Sequence, residues 1–254
     1  MSEVVALCLL AFLAGLVDAV AGGGGLIQLP ALFAFFPGLP PPLLIGTNKL
    51  SAIGGTLIAT VRYGWSVPIQ WRTVLPAASV AGIGALAGAS SVTRMDPVIL
   101  KPVILLLLIV VAAYTLLRPK LGNEPGATPV WRPGSLGFYV MAAVLGFYDG
   151  FLGPGAGSLM MFALVRLFGF DFLTAAANTK VLNLASNFGS LVLFMATGNV
   201  LYAVAFPMAL CNIAGGFLGA HLAVRGGSRL IRPVFLAVVM ALIVKVLVDL
   251  LRAL

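Results

Sequence analysis

The sequence predicts an all-α polytopic membrane protein made of two inverted repeats, and three observations lead to this prediction. Of the 254 residues, 61% are hydrophobic and only 9% are charged, whereas a soluble domain carries about 25% charged residues. Apolar runs recur along the whole chain, several of them near the length of about 18 residues or more that is typical of membrane-spanning helices. The two halves of the sequence also match each other.

The match between the halves has one constant offset, the one that places Gly15 on Gly146, and it needs no gaps. We call this shift the repeat offset. Such an internal duplication is typical of secondary transporters. We predict a first repeat over residues 1–118, a linker over 119–134 and a second repeat over 135–254. Further matching pairs include Asp18 with Asp149, Gly22 with Gly153, Lys49 with Lys180, Pro76 with Pro207, and Gly84 with Gly215.

The orientation of the repeats depends on two short apolar segments, 26–36 and 158–168. Eleven helical residues rise about 16 Å, roughly half of a bilayer core of about 30 Å. If each segment continues across the membrane, the repeats are parallel and the basic residues divide six against seven between the two faces. If each segment turns back, every repeat is a re-entrant helical hairpin plus three transmembrane helices. The division is then nine against four, and this sharper positive-inside bias favours inverted repeats.

Two glycine-rich stretches that each contain an aspartate interrupt the apolar runs. Asp18 precedes Gly22–Gly25, and Asp149 precedes Gly153–Gly157. Carboxylates and unpaired backbone groups are tolerated at membrane depth only where protein or a water-filled cavity surrounds them. We therefore expect the stretches to form two halves of one substrate site. Their glycines either allow close helix packing or bind an anion through backbone amides. The candidate residues here are Gly23, Gly24, Gly25, Gly155, Gly157 and Ser158.

Lys49 follows Asp18 at the same spacing at which Lys180 follows Asp149. An intramembrane lysine costs about 2.5–3.5 kcal/mol, so each needs a partner or a task. Three interpretations stay open at this point. The lysines pair with the aspartate of their own half, or they face one central anion, or they reach an interface. Asp18 and Asp149 are accordingly candidates for an ion pair or a proton relay.

Hydroxyl and amide side chains surround the two lysines in the sequence. Thr179, Asn183 and Asn187 are spaced four apart and lie on one helical face. Their role is either hydrogen bonding between helices or substrate binding. The substrate-binding candidates of this kind are Thr47, Asn48, Asn178, Thr179 and Asn183.

These same residues carry a family resemblance. Asp18 with Gly22–Gly25, then Pro30 and then Gly46-Thr47-Asn48-Lys49, resembles the TauE/SafE sulfite exporter family, also called TSUP. Gly153-Pro154-Gly155-Ala156-Gly157 with Asn178-Thr179-Lys180 is similar in the second half. The resemblance extends from about residue 4 to 250. It implies a transporter of the cytoplasmic membrane for small sulfur-containing anions such as sulfite, sulfoacetate or thiosulfate, with export as the usual direction.

We therefore expect a secondary transporter that exports sulfite or a related small sulfur-containing anion by alternating access. Coupling to protons and coupling to the membrane potential both remain open. The alternatives are an anion channel of the same fold and, less favoured, a membrane protein that handles sulfur species without transport. The sequence lacks metal-ligand clusters and nucleotide-binding motifs, so we predict neither enzyme activity nor a cofactor. The expected partners are the anion and the lipid bilayer, with a homodimer suggested by the small residues available for packing and no nucleic acid.

Overall fold

The computed structural model describes residues 2–96 and 130–253, with side chains described for 3–96 and 130–227. All regular secondary structure in these ranges is helical, which confirms the all-α prediction. The predicted apolar segment 102–117 and most of the predicted linker lie outside the described residues, and the repeat boundaries stay a prediction. The helices are α1 (Ser2–Ala21), α2 (Gly25–Phe35), α3 (Pro41–Gly64), α4 (Trp71–Arg94), α5 (Leu136–Phe151), α6 (Ala156–Phe168), α7 (Phe172–Ala196) and α8 (Tyr202–Ala253), the last broken at Gly227 (φ 57°, ψ −158°).

Local chemistry explains where the two long central helices begin. Proline is well suited to the first turn of a helix, because the amide that it lacks would have no intrahelical partner there, and α3 begins at Pro41. Asp171 caps α7 by accepting hydrogen bonds from the Leu173 and Thr174 amides at 3.0 and 3.1 Å. Both helices are 24 or 25 residues long and carry most of the buried polar side chains.

The outer helices have the properties of membrane spans. The segments Glu3–Ala21, Trp71–Arg94 and Tyr202–Gly227 are long and apolar enough to cross a bilayer. Helix α1 packs on α8, and α4 packs on α5 and α7. On α1 the exposed residues Val5, Leu9 and Leu13 follow a spacing of four, so they form one outward apolar stripe. This arrangement leaves α3 and α7 in the interior, where polar side chains can meet.

The short helices α2 and α6 turn back along the helices that precede them. Leu7 of α1 shares a buried cluster with Ala31 and Leu32 of α2. In the second half, the rings of Phe138 and Phe168 stack edge to face with centroids 4.9 Å apart. We call α1 with α2 hairpin 1, and α5 with α6 hairpin 2. Such hairpins are what the inverted arrangement requires, while the inversion of the halves across the membrane stays a prediction.

The repeat offset found in the sequence recurs in the helix boundaries. Helices α2, α3 and α4 begin at Gly25, Pro41 and Trp71, and the repeat offset places these starts on those of α6, α7 and α8. Because the shift is the same at all three starts, residues of the two halves can be compared one by one in the site described below.

The tips of the two hairpins touch each other in the interior. The Ser158 amide donates to the Gly22 carbonyl oxygen at 3.1 Å, and the Ser158 hydroxyl donates to the Ala21 carbonyl oxygen at 2.7 Å. Gly22 has a φ of +74°, which L side chains rarely adopt. A Cβ atom at Gly157 would lie only 2.7 Å from the Gly22 carbonyl oxygen. The contact therefore requires glycine on both hairpins.

Candidate substrate site between the two hairpins

A small cavity lies where the hairpin tips meet α3 and α7. Its volume is about 30 Å³, which is enough to hold water. Residues from both halves form its wall, as expected for a site shared by two repeats. The lining residues are Asp18, Gly22, Gly24, Gly25, Gln28, Asn48, Lys49, Ala52, Thr56, Asp149, Gly153, Gly157, Asn183, Asn187 and Asn212.

Lys49 of α3 extends to the second hairpin rather than to its own. Its Nζ atom lies 2.8 Å from Oδ1 of Asp149 and donates to Oδ1 of Asn187 at 3.0 Å. The other carboxylate oxygen of Asp149 accepts a hydrogen bond from the Ser186 hydroxyl. Lys49 is only 2% exposed, and its buried ammonium group is neutralised by Asp149 and hydrogen-bonded to Asn187.

Lys180 of α7 makes the reciprocal connection to the first hairpin. Its Nζ atom lies 2.6 Å from Oδ2 of Asp18 and also donates to the Asp18 backbone carbonyl. Oδ1 of Asp18 accepts from the Gly24 amide at 3.3 Å. Each lysine thus fastens a long helix to the opposite hairpin.

The interpretation that pairs Asp18 with Lys49 and Asp149 with Lys180 is therefore wrong, because the partners are exchanged between the halves. Equal spacing in sequence shows only that each lysine follows an aspartate in the same way. Which hairpin a lysine reaches depends on how the halves interlock. In the folded chain each lysine reaches the hairpin of the other half.

The two ion pairs differ in their position relative to the cavity. Lys49 and Asp149 both line it, whereas Lys180 does not. Breaking a buried pair by removing one partner costs about 3–5 kcal/mol, because the remaining charge is left buried and uncompensated. Both pairs therefore hold the structure together, but only Lys49 places an ammonium group at the cavity wall.

The other predicted site residues divide into two groups. Gly24, Gly25, Asn48, Gly157 and Asn183 line the cavity, together with the lysine and both aspartates discussed above. The predicted residues that are not among its lining residues are Gly23, Gly155, Thr47, Asn178, Thr179 and Ser158.

Thr47 and Asn178 hold loops instead of facing the cavity. The Thr47 hydroxyl donates to the Leu43 carbonyl at 2.6 Å and accepts from the Leu201 amide at 2.9 Å. The Asn178 side chain accepts from the Gln70 amide at 3.1 Å. The backbone amide of Gly24 is likewise engaged, since it donates to Asp18.

Three amide side chains that were not among the predicted binding residues also line the cavity, those of Gln28, Asn187 and Asn212. The other lining residues that were not predicted are Gly22, Ala52, Thr56 and Gly153. Asn187 was placed on the same helical face as Asn183, and its Nδ2 atom donates to Oδ1 of Asn183 at 3.1 Å. Gln28 is the only amide side chain within the apolar helix α2, and this isolation is the signal that could have identified it. Asn212 similarly interrupts the apolar start of α8 and donates to the Ala11 carbonyl at 3.0 Å.

The cavity wall is chemically asymmetric although the halves are duplicated. At the repeat offset, the polar Gln28 and Ser51 correspond to Leu159 and Leu182. Conversely, Asn183, Ser186 and Asn212 of the second half correspond to Ala52, Gly55 and Ala81. Each half therefore contributes a different set of hydrogen-bonding groups. In the described part of the chain, no group of three or more His, Cys, Asp or Glu residues could hold a metal ion.

A polar cavity inside a helical membrane protein, lined by two facing hairpins, is typical of a transporter site. Residues 7–246 match the family described as "Sulfite exporter TauE/SafE". The chain is 37% identical over 242 residues to a probable membrane transporter protein of Haemophilus influenzae, covering 94% of this chain and 92% of that protein. It is also 37% identical over 240 residues to the probable membrane transporter protein YfcA of Escherichia coli K12, and the match covers 94% of this chain and 87% of that protein.

A more distant relative is the probable membrane transporter protein YunE of Bacillus subtilis, 26% identical over 237 residues, covering 85% of this chain and 87% of that protein. No solved structure matches the chain. The chain belongs to the TauE/SafE family of membrane transporters, as the sequence motifs predict. It is a multi-pass protein of the inner membrane. Assembly into a homodimer stays a prediction.

Proposed function

We propose that this transporter exports sulfite, or a closely related small sulfur oxyanion, by alternating access through the cavity between the hairpin tips. The observation that carries the proposal is the buried pair of Lys49 and Asp149 in the cavity wall. The family description supports the choice of sulfite and of export, because it names both.

Lys49 is the residue that would hold the anion. Among the described residues that line the cavity, it is the only cationic side chain. An oxyanion can replace the Asp149 carboxylate as its partner, because both present negatively charged oxygens to an ammonium group. Asp149 would keep the hydrogen bond from Ser186, and Lys49 would keep its hydrogen bond to the amide oxygen of Asn187.

The charge balance of the site connects anion binding to a proton. Lys49 and Lys180 together balance Asp18 and Asp149, so the closed site has no formal net charge. A hydrogensulfite ion that enters adds one buried negative charge, which is costly in a low-dielectric interior. Protonation of Asp149 after its release from Lys49 would remove that cost. We therefore propose that the anion and a proton cross together.

Alternating access would come from separation of the hairpin tips. The cavity is small, with a volume of about 30 Å³, and we propose that it widens when it takes up sulfite. The hydrogen bonds from Ser158 to Gly22 and Ala21 hold the hairpin tips together beside the cavity. Rocking one hairpin against the other would open the cavity, and the exchanged ion pairs would link the movement to both halves.

The experiment is uptake and counterflow of ³⁵S-labelled sulfite in proteoliposomes, with and without a pH gradient, against protein-free liposomes. We expect saturable counterflow that responds to the gradient, and sulfite recovered chemically unchanged. Absence of flux above the protein-free liposomes would refute sulfite transport. Non-saturable currents near the diffusion rate would show that the protein is a channel rather than a carrier. Conversion of sulfite to a product would show that the protein is an enzyme rather than a transporter.

A further inference from the structure

We infer that Gln28 and Asn48 make the cavity selective for an anion that carries a hydrogen-bond donor, such as hydrogensulfite or a hydroxylated sulfonate. This inference rests on the proposed function, because it concerns the same cavity. It adds a specificity-determining pair of residues and narrows the class of substrate.

The evidence begins with Gln28 on α2. Its side chain is fully buried and lines the cavity. The Nε2 atom donates a hydrogen bond to Oγ of Ser51. The Oε1 atom, in contrast, has no hydrogen-bond partner within the described structure.

Asn48 repeats this condition on the neighbouring helix α3. It is 3% exposed and lines the same cavity, and its Oδ1 atom also lacks a partner among the described residues. A buried acceptor without a partner costs about 1–3 kcal/mol. Two such acceptors in one cavity wall indicate that the occupant satisfies them.

The chemistry of these acceptors restricts the occupant. A carbonyl oxygen only accepts hydrogen bonds, and a fully deprotonated oxyanion also only accepts them. With the amides oriented as in this structure, such an anion would leave Oε1 of Gln28 and Oδ1 of Asn48 without a partner, whereas an anion with an O–H group can donate to them. The site therefore contacts two different parts of the substrate. Lys49 binds the anionic oxygens, and the two amide oxygens accept a hydrogen bond from the O–H group.

This recognition would belong to the first half of the chain alone. The residue that corresponds to Gln28 in the second half is Leu159, which has no polar group. The residue that corresponds to Asn48 is Thr179, which is buried but is not among the lining residues of the cavity. Thr179 thus provides a matched control, since its hydroxyl is also buried and has no partner in the described structure.

The test compares 2-hydroxyethanesulfonate with ethanesulfonate, which differ by one hydroxyl group, as inhibitors of labelled sulfite counterflow. For the wild type we expect the half-inhibitory concentration of ethanesulfonate to be at least about tenfold higher than that of 2-hydroxyethanesulfonate. The quotient of these two concentrations is the inhibition ratio. In Gln28→Met and in Asn48→Leu this ratio should fall close to one. In Thr179→Val it should stay at the wild-type value.

Each ratio is measured within one purified variant, so differences in protein yield do not affect it. Equal inhibition in the wild type, or inhibition by neither compound while sulfite counterflow is intact, would overturn the inference. So would an unchanged ratio in both variants. If Gln28→Met does not fold, the inhibition ratios of the wild type and of Asn48→Leu still test the inference. Absence of sulfite counterflow in the wild type is a different outcome, because it refutes the proposed function itself.

Discussion

Lys49 and Asp149 form a buried ion pair of 2.8 Å although they belong to different halves of the chain and lie 100 residues apart. Lys180 and Asp18 repeat this exchange in the opposite direction. Each hairpin is consequently held by the long helix of the other half. A movement of one hairpin that opens the cavity must strain or break one of these pairs, so the pairs connect the state of the cavity to the packing of both halves.

The first prediction concerns the pair at the cavity wall. Lys49→Met and Asp149→Asn should each lower the free energy of unfolding by about 3–5 kcal/mol, because each leaves a buried charge without its partner. The double variant should recover most of this stability, since no charge remains, but it should not transport sulfite. Thermal unfolding in detergent and counterflow in proteoliposomes measure the two effects. Normal transport by the double variant would disprove the role of Lys49 as the anion ligand.

The second prediction concerns the other pair, of which Asp18 lines the cavity but Lys180 does not. Lys180→Met with Asp18→Asn removes both charges and should also restore the stability lost in either single variant. Because Lys180 does not line the cavity, this double variant should retain clearly more sulfite counterflow than the Lys49 and Asp149 double variant. If both double variants lose transport equally, Lys180 acts as a second substrate ligand.

The third prediction concerns the contact between the hairpin tips. Gly157→Ala places a Cβ atom 2.7 Å from the Gly22 carbonyl oxygen, so the tips must shift apart. We expect a lower unfolding temperature and a reduced rate of counterflow. Gly38→Ala is the matched control, because a Cβ atom there meets nothing within 4 Å. If both variants behave like the wild type, the tip contact does not close the cavity.

The fourth prediction separates loop anchoring from substrate binding. Thr47→Val and Asn178→Leu remove side chains that bond the Leu201 and Gln70 amides. Each should lower stability by about 1–3 kcal/mol, because a backbone amide loses its partner. The KM for sulfite should stay close to that of the wild type. A KM raised by an order of magnitude at unchanged stability would show that these residues bind substrate after all.

Much of the helical framework could be predicted from the sequence, because apolar runs and glycine breaks are local signals. The segment predicted over 26–36 is helix Gly25–Phe35, and the one predicted over 158–168 lies within helix Ala156–Phe168. The types of residue at the centre could also be predicted, since a buried lysine or aspartate needs a partner.

The partners themselves could not be predicted in the same way. The spacing from aspartate to lysine is identical in both halves, so it cannot distinguish pairing within a half from the observed exchange, which depends on how the hairpins interlock. Gln28 was not predicted because one amide in an apolar helix gives no periodic pattern, and only its isolation among apolar residues distinguishes it. Thr179 shares a helical face with Asn183, yet it is absent from the cavity lining, because helical spacing alone does not define which part of that face meets the cavity.

The most direct test of the account is the effect of sulfite on the unfolding temperature of the purified protein. A ligand that binds only the folded state at 100 times its Kd adds about 2.7 kcal/mol of stability. We predict that sulfite raises the unfolding temperature of the wild type and of the double variant at Lys180 and Asp18. The double variant at Lys49 and Asp149 should show no increase. An equal increase in that variant would contradict the claim that Lys49 holds the anion in place of Asp149.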